Sequence, residues 1–275
     1  METLKITGNE INISVNGTTI CYDDLGKGTI PIIFIHGFPF DKSSWKLQMD
    51  FFKSSHRVIA YDIRGYGKSI LGNQELSMSL FADDLIKFMD ALEIDKAVVC
   101  GLSMGGYILL NAINRYPQRF SAVVLSDTQC IADSPEAKEK RNKSIAKINA
   151  GGLKEFAETF VQNIFCKQTL DNGSEEVERI KKIILSTSTK TIVSTLNALA
   201  HRWEMCSSLN EITVPTLILC GKEDAITPTA QSEFMNSKIA KSKLNIISGA
   251  GHMSNLENSH EFNKYVNDFI SGLEK

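Results

Sequence analysis

The 275-residue chain lacks several things that would assign it to a class at once. It has no charge excess: 30 Lys plus Arg stand against 32 Asp plus Glu, a formal net charge of −2. Nucleic-acid binding draws on a basic surplus, so that partner class is not expected. It has no apolar run of the roughly 18 residues needed to cross a bilayer, and Met1-Glu2-Thr3-Leu4-Lys5 opens without an apolar signal core. A cytoplasmic chain with no membrane partner is the expectation. The six cysteines (Cys21, Cys100, Cys130, Cys166, Cys206, Cys220) show no C-x-x-C spacing, and two sit inside apolar runs. Neither a metal site nor a disulfide framework is expected; reduced thiols buried as small hydrophobes are. Proline is scarce at 6, and no Pro- or Ser-rich linker, repeat or low-complexity tract marks a boundary. What remains, 43% hydrophobic and 23% charged residues, is an ordinary globular chain of one or two domains.

Organisation therefore has to be read from rhythm. Ile11 to Val15 and Thr18 to Tyr22 flank Asn16-Gly17, a strong hairpin signal, and predict two antiparallel edge strands. Short apolar runs follow at Ile30 to Ile35, Val58 to Tyr61, Ala97 to Cys100, Ala122 to Leu125, Thr216 to Cys220 and Leu244 to Ile247. Such runs suit strands buried on both faces of a parallel sheet. Between them Phe81, Leu85, Phe88, Met89 and Leu92 share one helical face, as do Phe262, Tyr265, Val266, Phe269 and Ile270. The alternation predicts an α/β fold, interrupted once. Across 128–213 apolar positions recur at helical spacing, with breaks at Gly151-Gly152, Asp171-Asn172-Gly173 and the Ser/Thr run at 186–189. Three or four helices are expected there, inserted as a cap between core segments 1–127 and 214–275, over the sheet edge where α/β proteins bind ligands.

The run Ala97 to Cys100 leads straight into Gly101-Leu102-Ser103-Met104-Gly105-Gly106 and then a helix-like segment. As bare text G-x-S-x-G is a weak signal, but a strand-to-helix turn this tight forces its central residue into strained geometry and holds the hydroxyl proud of the sheet. A serine needs a base and an orienting acid, here in the order serine, acid, histidine. His252, in Gly249-Ala250-Gly251-His252, follows the last strand; His36 and His56 precede the serine, His201 lies in the insertion and His260 in the terminal helix. Asp224 follows the Thr216 to Cys220 strand and is the first candidate acid, with Asp127 as fallback and Glu223 weaker. Oxyanion donors are expected from the Met104 amide and the Phe38 amide in His36-Gly37-Phe38-Pro39, with Pro39 excluded for want of an N–H and His36 read as structural.

These segments, together with Asp62-Ile63-Arg64-Gly65-Tyr66-Gly67-Lys68-Ser69, resemble the α/β-hydrolase superfamily over nearly the whole chain. The resemblance implies an α/β-hydrolase fold, with a mostly parallel central sheet, an N-terminal antiparallel hairpin and an inserted helical cap. It implies Ser103 as nucleophile, His252 as base, Asp224 as orienter and no cofactor. Serine rather than aspartate at the elbow excludes the haloalkane dehalogenase and epoxide hydrolase pattern. The chain looks most like 3-oxoadipate enol-lactonase-like hydrolases, which implies cleavage of a small ester or lactone through an acyl-enzyme. Perhydrolase or haloperoxidase chemistry and carbon–carbon bond hydrolysis on the same triad are the alternatives, and a ligand receptor using cap and pocket is the non-enzyme one. Phe38, Phe40, Met104, Phe160 and Trp203 are candidate pocket walls, and Arg141 and Arg202 candidate cations for an anionic substrate. A homodimer is compatible with this reading.

Overall fold

The structure, a computed structural model, describes residues 7–273. The chain opens on β1 (Gly8–Val15) and β2 (Thr18–Leu25), joined by Asn16-Gly17 with both residues at positive φ. Strands and helices then alternate: β3 (Ile32–Ile35), α1 (Lys46–Phe52), β4 (Val58–Tyr61), α2 (Met78–Ala91), β5 (Ala97–Leu102), α3 (Met104–Arg115) and β6 (Phe120–Ser126). Five helices follow with no strand between them: α4 (Pro135–Asn149), α5 (Leu153–Ile164), α6 (Lys167–Asp171), α7 (Glu175–Ser186) and α8 (Thr189–Ala200). β7 (Thr216–Gly221), α9 (Thr229–Lys238), β8 (Ser242–Ile247), α10 (Ser254–Glu257) and α11 (Ser259–Leu273) complete the fold.

The strands form one sheet in the order β1-β2-β4-β3-β5-β6-β7-β8, parallel from β4 to β8. β3, β4, β5 and β7 are buried along their whole length and β6 everywhere but at half-buried Ser121, which is why they read as apolar runs; β8, at the sheet edge, is partly exposed and carries Lys243 and Asn245. The hairpin does not supply two edges. β2 pairs antiparallel with β4 as well as with β1, so of these two strands only β1 lies at an edge of the sheet. Parallel pairing brings the ends of β3, β5, β6, β7 and β8 to a common edge, and the loops carrying Phe38, Ser103, Asp127, Asp224 and His252 all leave from it.

The insertion has one helix more than the upper expectation. α4 buries only Ile148, so it has no apolar stripe to read; Ser134 caps it, accepting from the Ala137 amide, and Pro135 supplies the first turn. Its breaks fall at Gly151 and Gly173, both at positive φ, and at Ser188, which caps α8. Asp133 pins the start of the insertion to its end, pairing with Arg141 and with buried Arg202.

Two thiols are not reduced as expected. Cys130 and Cys206 form a disulfide, while Cys21, Cys100, Cys166 and Cys220 are free and buried. The pair lies 76 residues apart in sequence, and it meets because the insertion leaves and rejoins the core side by side; Met205 N–H donates to the Cys130 carbonyl at 2.8 Å. Closing a loop of that length restricts the unfolded chain, so reduction is expected to cost about 4 kcal/mol of stability. Urea unfolding with and without a dithiol measures this, and an unchanged midpoint would count against it.

Candidate active site

The elbow at the end of β5 puts Ser103 at φ 53° and ψ −113°, outside the comfortable regions for a side chain with a Cβ. Main-chain contacts hold it there. Ser103 N–H donates to the Ser126 carbonyl at 2.9 Å, and the Ser103 carbonyl accepts from Gly106 N–H at 2.9 Å and from the Thr128 hydroxyl at 2.8 Å. The turn closes only because its flanks are glycine: a Cβ at Gly101 would enter the Gly105 backbone, and one at Gly105 would enter the Ile35 carbonyl.

His252 Nε2 stands 2.8 Å from Ser103 Oγ, and its Nδ1 stands 2.8 Å from Asp224 Oδ2. A carboxylate can only accept, so Nδ1 carries the proton and Nε2 accepts from the Ser103 hydroxyl. Asp224 is itself fixed: Oδ1 accepts from the Ile226 and Thr227 amides at 2.8 and 2.9 Å, and Oδ2 from the Thr227 hydroxyl at 2.7 Å. Burial works to raise the Asp224 pKa, but the neighbouring imidazole and these donors outweigh it and hold the carboxyl below its ordinary value. Burial likewise works to lower the His252 pKa, yet the Asp224 charge and hydrogen bond, with smaller effects from Asp127 and Glu257, leave it raised.

Asp127 lies nearby without touching the imidazole. Its Oδ1 accepts from Gly221 N–H at 2.8 Å and its Oδ2 from the Ser126 and Ser254 hydroxyls at 2.7 and 2.5 Å. Burial first, then the Asp224 charge, push its pKa up to about 7. Asp127, Cys220 and Asp224 present ligand atoms within 4.8 Å of one another, but every oxygen of the two carboxylates is already engaged with a protein donor. Glu223 is exposed.

The loop after β3 lies against the serine, so close that a Cβ at Gly37 would stand 3.1 Å from that of Ser103. Among the described residues neither the Phe38 amide nor the Met104 amide has a hydrogen-bond acceptor. His36 shapes this loop: its Nδ1–H donates to the Gly37 carbonyl at 2.8 Å and Nε2 accepts from Ile63 N–H at 3.0 Å. Burial lowers its pKa, which suits that neutral tautomer.

A family model described as alpha/beta hydrolase fold matches residues 30–259, from before the Phe38 loop to beyond His252. The chain belongs to the α/β-hydrolase family. This α/β-hydrolase is 27% identical to 3-oxoadipate enol-lactonase 2 of Acinetobacter baylyi, over 92% of the chain and 94% of that protein. Among solved structures it is similar to a thermophilic esterase from Thermogutta terrifontis, at 30% identity and a TM-score of 0.91, covering 96% of the chain and 99% of the esterase. It is also similar to the enol-lactonase from Burkholderia xenovorans LB400, at 26% identity and a TM-score of 0.89, covering 95% and 100%.

Of the hydrolase's candidate pocket residues, Phe38 and Phe40 meet Phe160 of α5, with ring centroids 5.9 and 6.2 Å apart. Phe156, one turn earlier, joins them at 6.4 Å from Phe38; its spacing of four from Phe160 was the available signal. Trp203 is not brought to this group. It is 82% exposed on a separate cavity of about 720 Å³, whose lining includes Tyr107, Gln129 and Arg202 but no member of the Ser103–His252–Asp224 chain. The reason is its position beyond the end of α8, in the connection that returns to the cystine. Arg141 and Arg202 are both engaged by Asp133, and Arg202 also donates to the Leu199 and Ile131 carbonyls. The role of Thr227, buried against Asp224, was legible as an Asp-x-x-Thr turn. No helix among the described residues is long and apolar enough to cross a membrane.

Proposed function

We propose that this α/β-hydrolase is a serine esterase or lactonase that works through an acyl-enzyme, with the helices of 128–213 acting as its cap. What carries the reading is the unbroken chain from Ser103 Oγ to His252 to Asp224, two hydrogen bonds of 2.8 Å. As Ser103 Oγ attacks the carbonyl carbon, its proton passes to His252 Nε2, and Asp224 stabilises the imidazolium in the required orientation. The Phe38 and Met104 amides hold the oxyanion. His252 then protonates the departing alcohol or enol oxygen; in the second step it takes a proton from water as the water oxygen bonds to the acyl carbon, and it returns that proton to Ser103 Oγ as the Oγ–acyl bond breaks and the acid leaves.

The substrate class follows from the wall. Phe38, Phe40, Phe156 and Phe160 form an apolar cluster beside the serine, and both candidate cations are tied to Asp133. Across 128–213 the balance is 12 Lys plus Arg to 11 Asp plus Glu. Small uncharged acyl compounds fit better than dicarboxylate lactones, and the enol-lactonase and esterase relatives support the ester-type bond. A fluorophosphonate is expected to label Ser103 stoichiometrically, and short-chain p-nitrophenyl esters or small neutral lactones to turn over repeatedly at neutral pH. Labelling without turnover would favour a receptor, and an anionic lactone as preferred substrate would refute the neutral pocket.

A further inference from the structure

The histidine loop is held by the insertion as well as by the sheet. His252 N–H donates to the Ile164 carbonyl at the end of α5, at 2.8 Å. Beside that bond one carboxylate gathers three donors. Glu257, the last residue of α10, accepts through Oε1 from Gly251 N–H at 2.7 Å, and through Oε2 from Cys166 N–H at 2.8 Å and the Thr169 hydroxyl at 2.7 Å. Cys166 immediately precedes α6 and Thr169 lies within it, so the carboxylate ties the α5–α6 corner to the residue before the histidine. The approach is close enough that a Cβ at Gly251 would stand 2.8 Å from the Cys166 nitrogen and 3.0 Å from the Ile164 oxygen. The same α5 carries Phe156 and Phe160 onto the Phe38 loop, so one helix borders both the wall and the histidine.

We infer that Glu257 is a positioning residue that locks the α5–α6 corner of the insertion onto the histidine loop and so sets the imidazole between Ser103 and Asp224. The inference rests on the serine-hydrolase reading above. A carboxylate with three protein donors, two of them backbone amides, is a strong and directional anchor. It is also one of three carboxylates that act on His252, with Asp224 on the β7–α9 loop and Asp127 after β6, and each favours the imidazolium formed when Ser103 gives up its proton.

Glu257→Gln keeps the shape and removes the charge. On p-nitrophenyl acetate it is expected to lower kcat about 10- to 100-fold with KM changed less than about threefold, as for a base displaced by a fraction of an ångström. The acid limb of its pH profile should move to lower pH, because one carboxylate fewer favours the imidazolium. Thr169→Val, which removes one donor and leaves the charge, should cost less than about fivefold and leave the limb in place. If Glu257→Gln fails to fold, Glu257→Asp asks the same question: it keeps the charge but not the reach, so kcat should fall about 10-fold with the limb unmoved. A residue needed only for packing would lower the thermal midpoint and leave kcat and limb as in wild type, and that result overturns the inference. Proton NMR of the His252 Nδ1–H against pH requires no substrate. A lower titration midpoint in Glu257→Gln supports the inference and an identical one overturns it. If the midpoints differ and no ester turns over, the serine-hydrolase reading fails while the positioning role stands.

Discussion

Replacing Ser103 by alanine is expected to lower kcat for ester hydrolysis by about 10⁶-fold, the scale on which a serine triad collapses when its nucleophile is removed. The fold should survive. Each of the contacts that hold the elbow meets Ser103 at its own backbone, from Ser103 N–H to the Ser126 carbonyl and from Gly106 N–H and the Thr128 hydroxyl to the Ser103 carbonyl, and alanine keeps all of them. Ser103→Gly provides a second reading of the same turn. The serine sits at φ 53°, a conformation that costs a residue with a Cβ on the order of 1–3 kcal/mol, so glycine should raise the thermal midpoint while abolishing activity. A Ser103→Ala protein that still hydrolyses p-nitrophenyl esters, with Ser103 the residue labelled in wild type, would dismiss the mechanism.

Asp224→Asn is expected to cost about 10⁴-fold in kcat, because an amide donates toward Nδ1 and turns the imidazole to the wrong tautomer. The pH profile should change with it. Activity needs neutral His252, and the raised pKa puts loss of activity at a pH above the ordinary histidine value of about 6.5 as pH falls. Without the Asp224 charge the pKa drops, so the acid limb of the residual activity should move to lower pH. Asp127→Asn is the control. Its oxygens serve Gly221, Ser126 and Ser254 and never reach the imidazole, so kcat should stay within about 10-fold of wild type. Should Asp127→Asn prove the more damaging of the two, the roles of the acids would have to be exchanged.

The particular elements explain why some of this was legible and some was not. β3, β5, β6 and β7 could be read because strands buried on both faces need unbroken apolar runs, and the elbow because glycine alone fits at 101 and 105. Asp224 and His252 stood out because each follows a strand whose end must lie at the ligand edge of a parallel sheet. α4 escaped because it is nearly all exposed and its only signals were Ser134 and Pro135 at its start. The interior position of β2 was hidden because a hairpin motif specifies its own turn and says nothing about which strand takes the other side.

The order of the strands' chemistry, the strained serine and its candidate partners were therefore determined by the sequence alone, since each rests on a local backbone requirement written within a few residues. Tertiary structure alone decided the pairings between distant segments: the cystine across 76 residues, the two arginines on Asp133, the aromatic wall where α5 meets the Phe38 loop, and the Glu257 clasp on Gly251, Cys166 and Thr169. Such contacts depend on how the insertion folds back over the sheet edge. No local propensity encodes that return, because it is set by the sum of many packing contacts made after the elements exist.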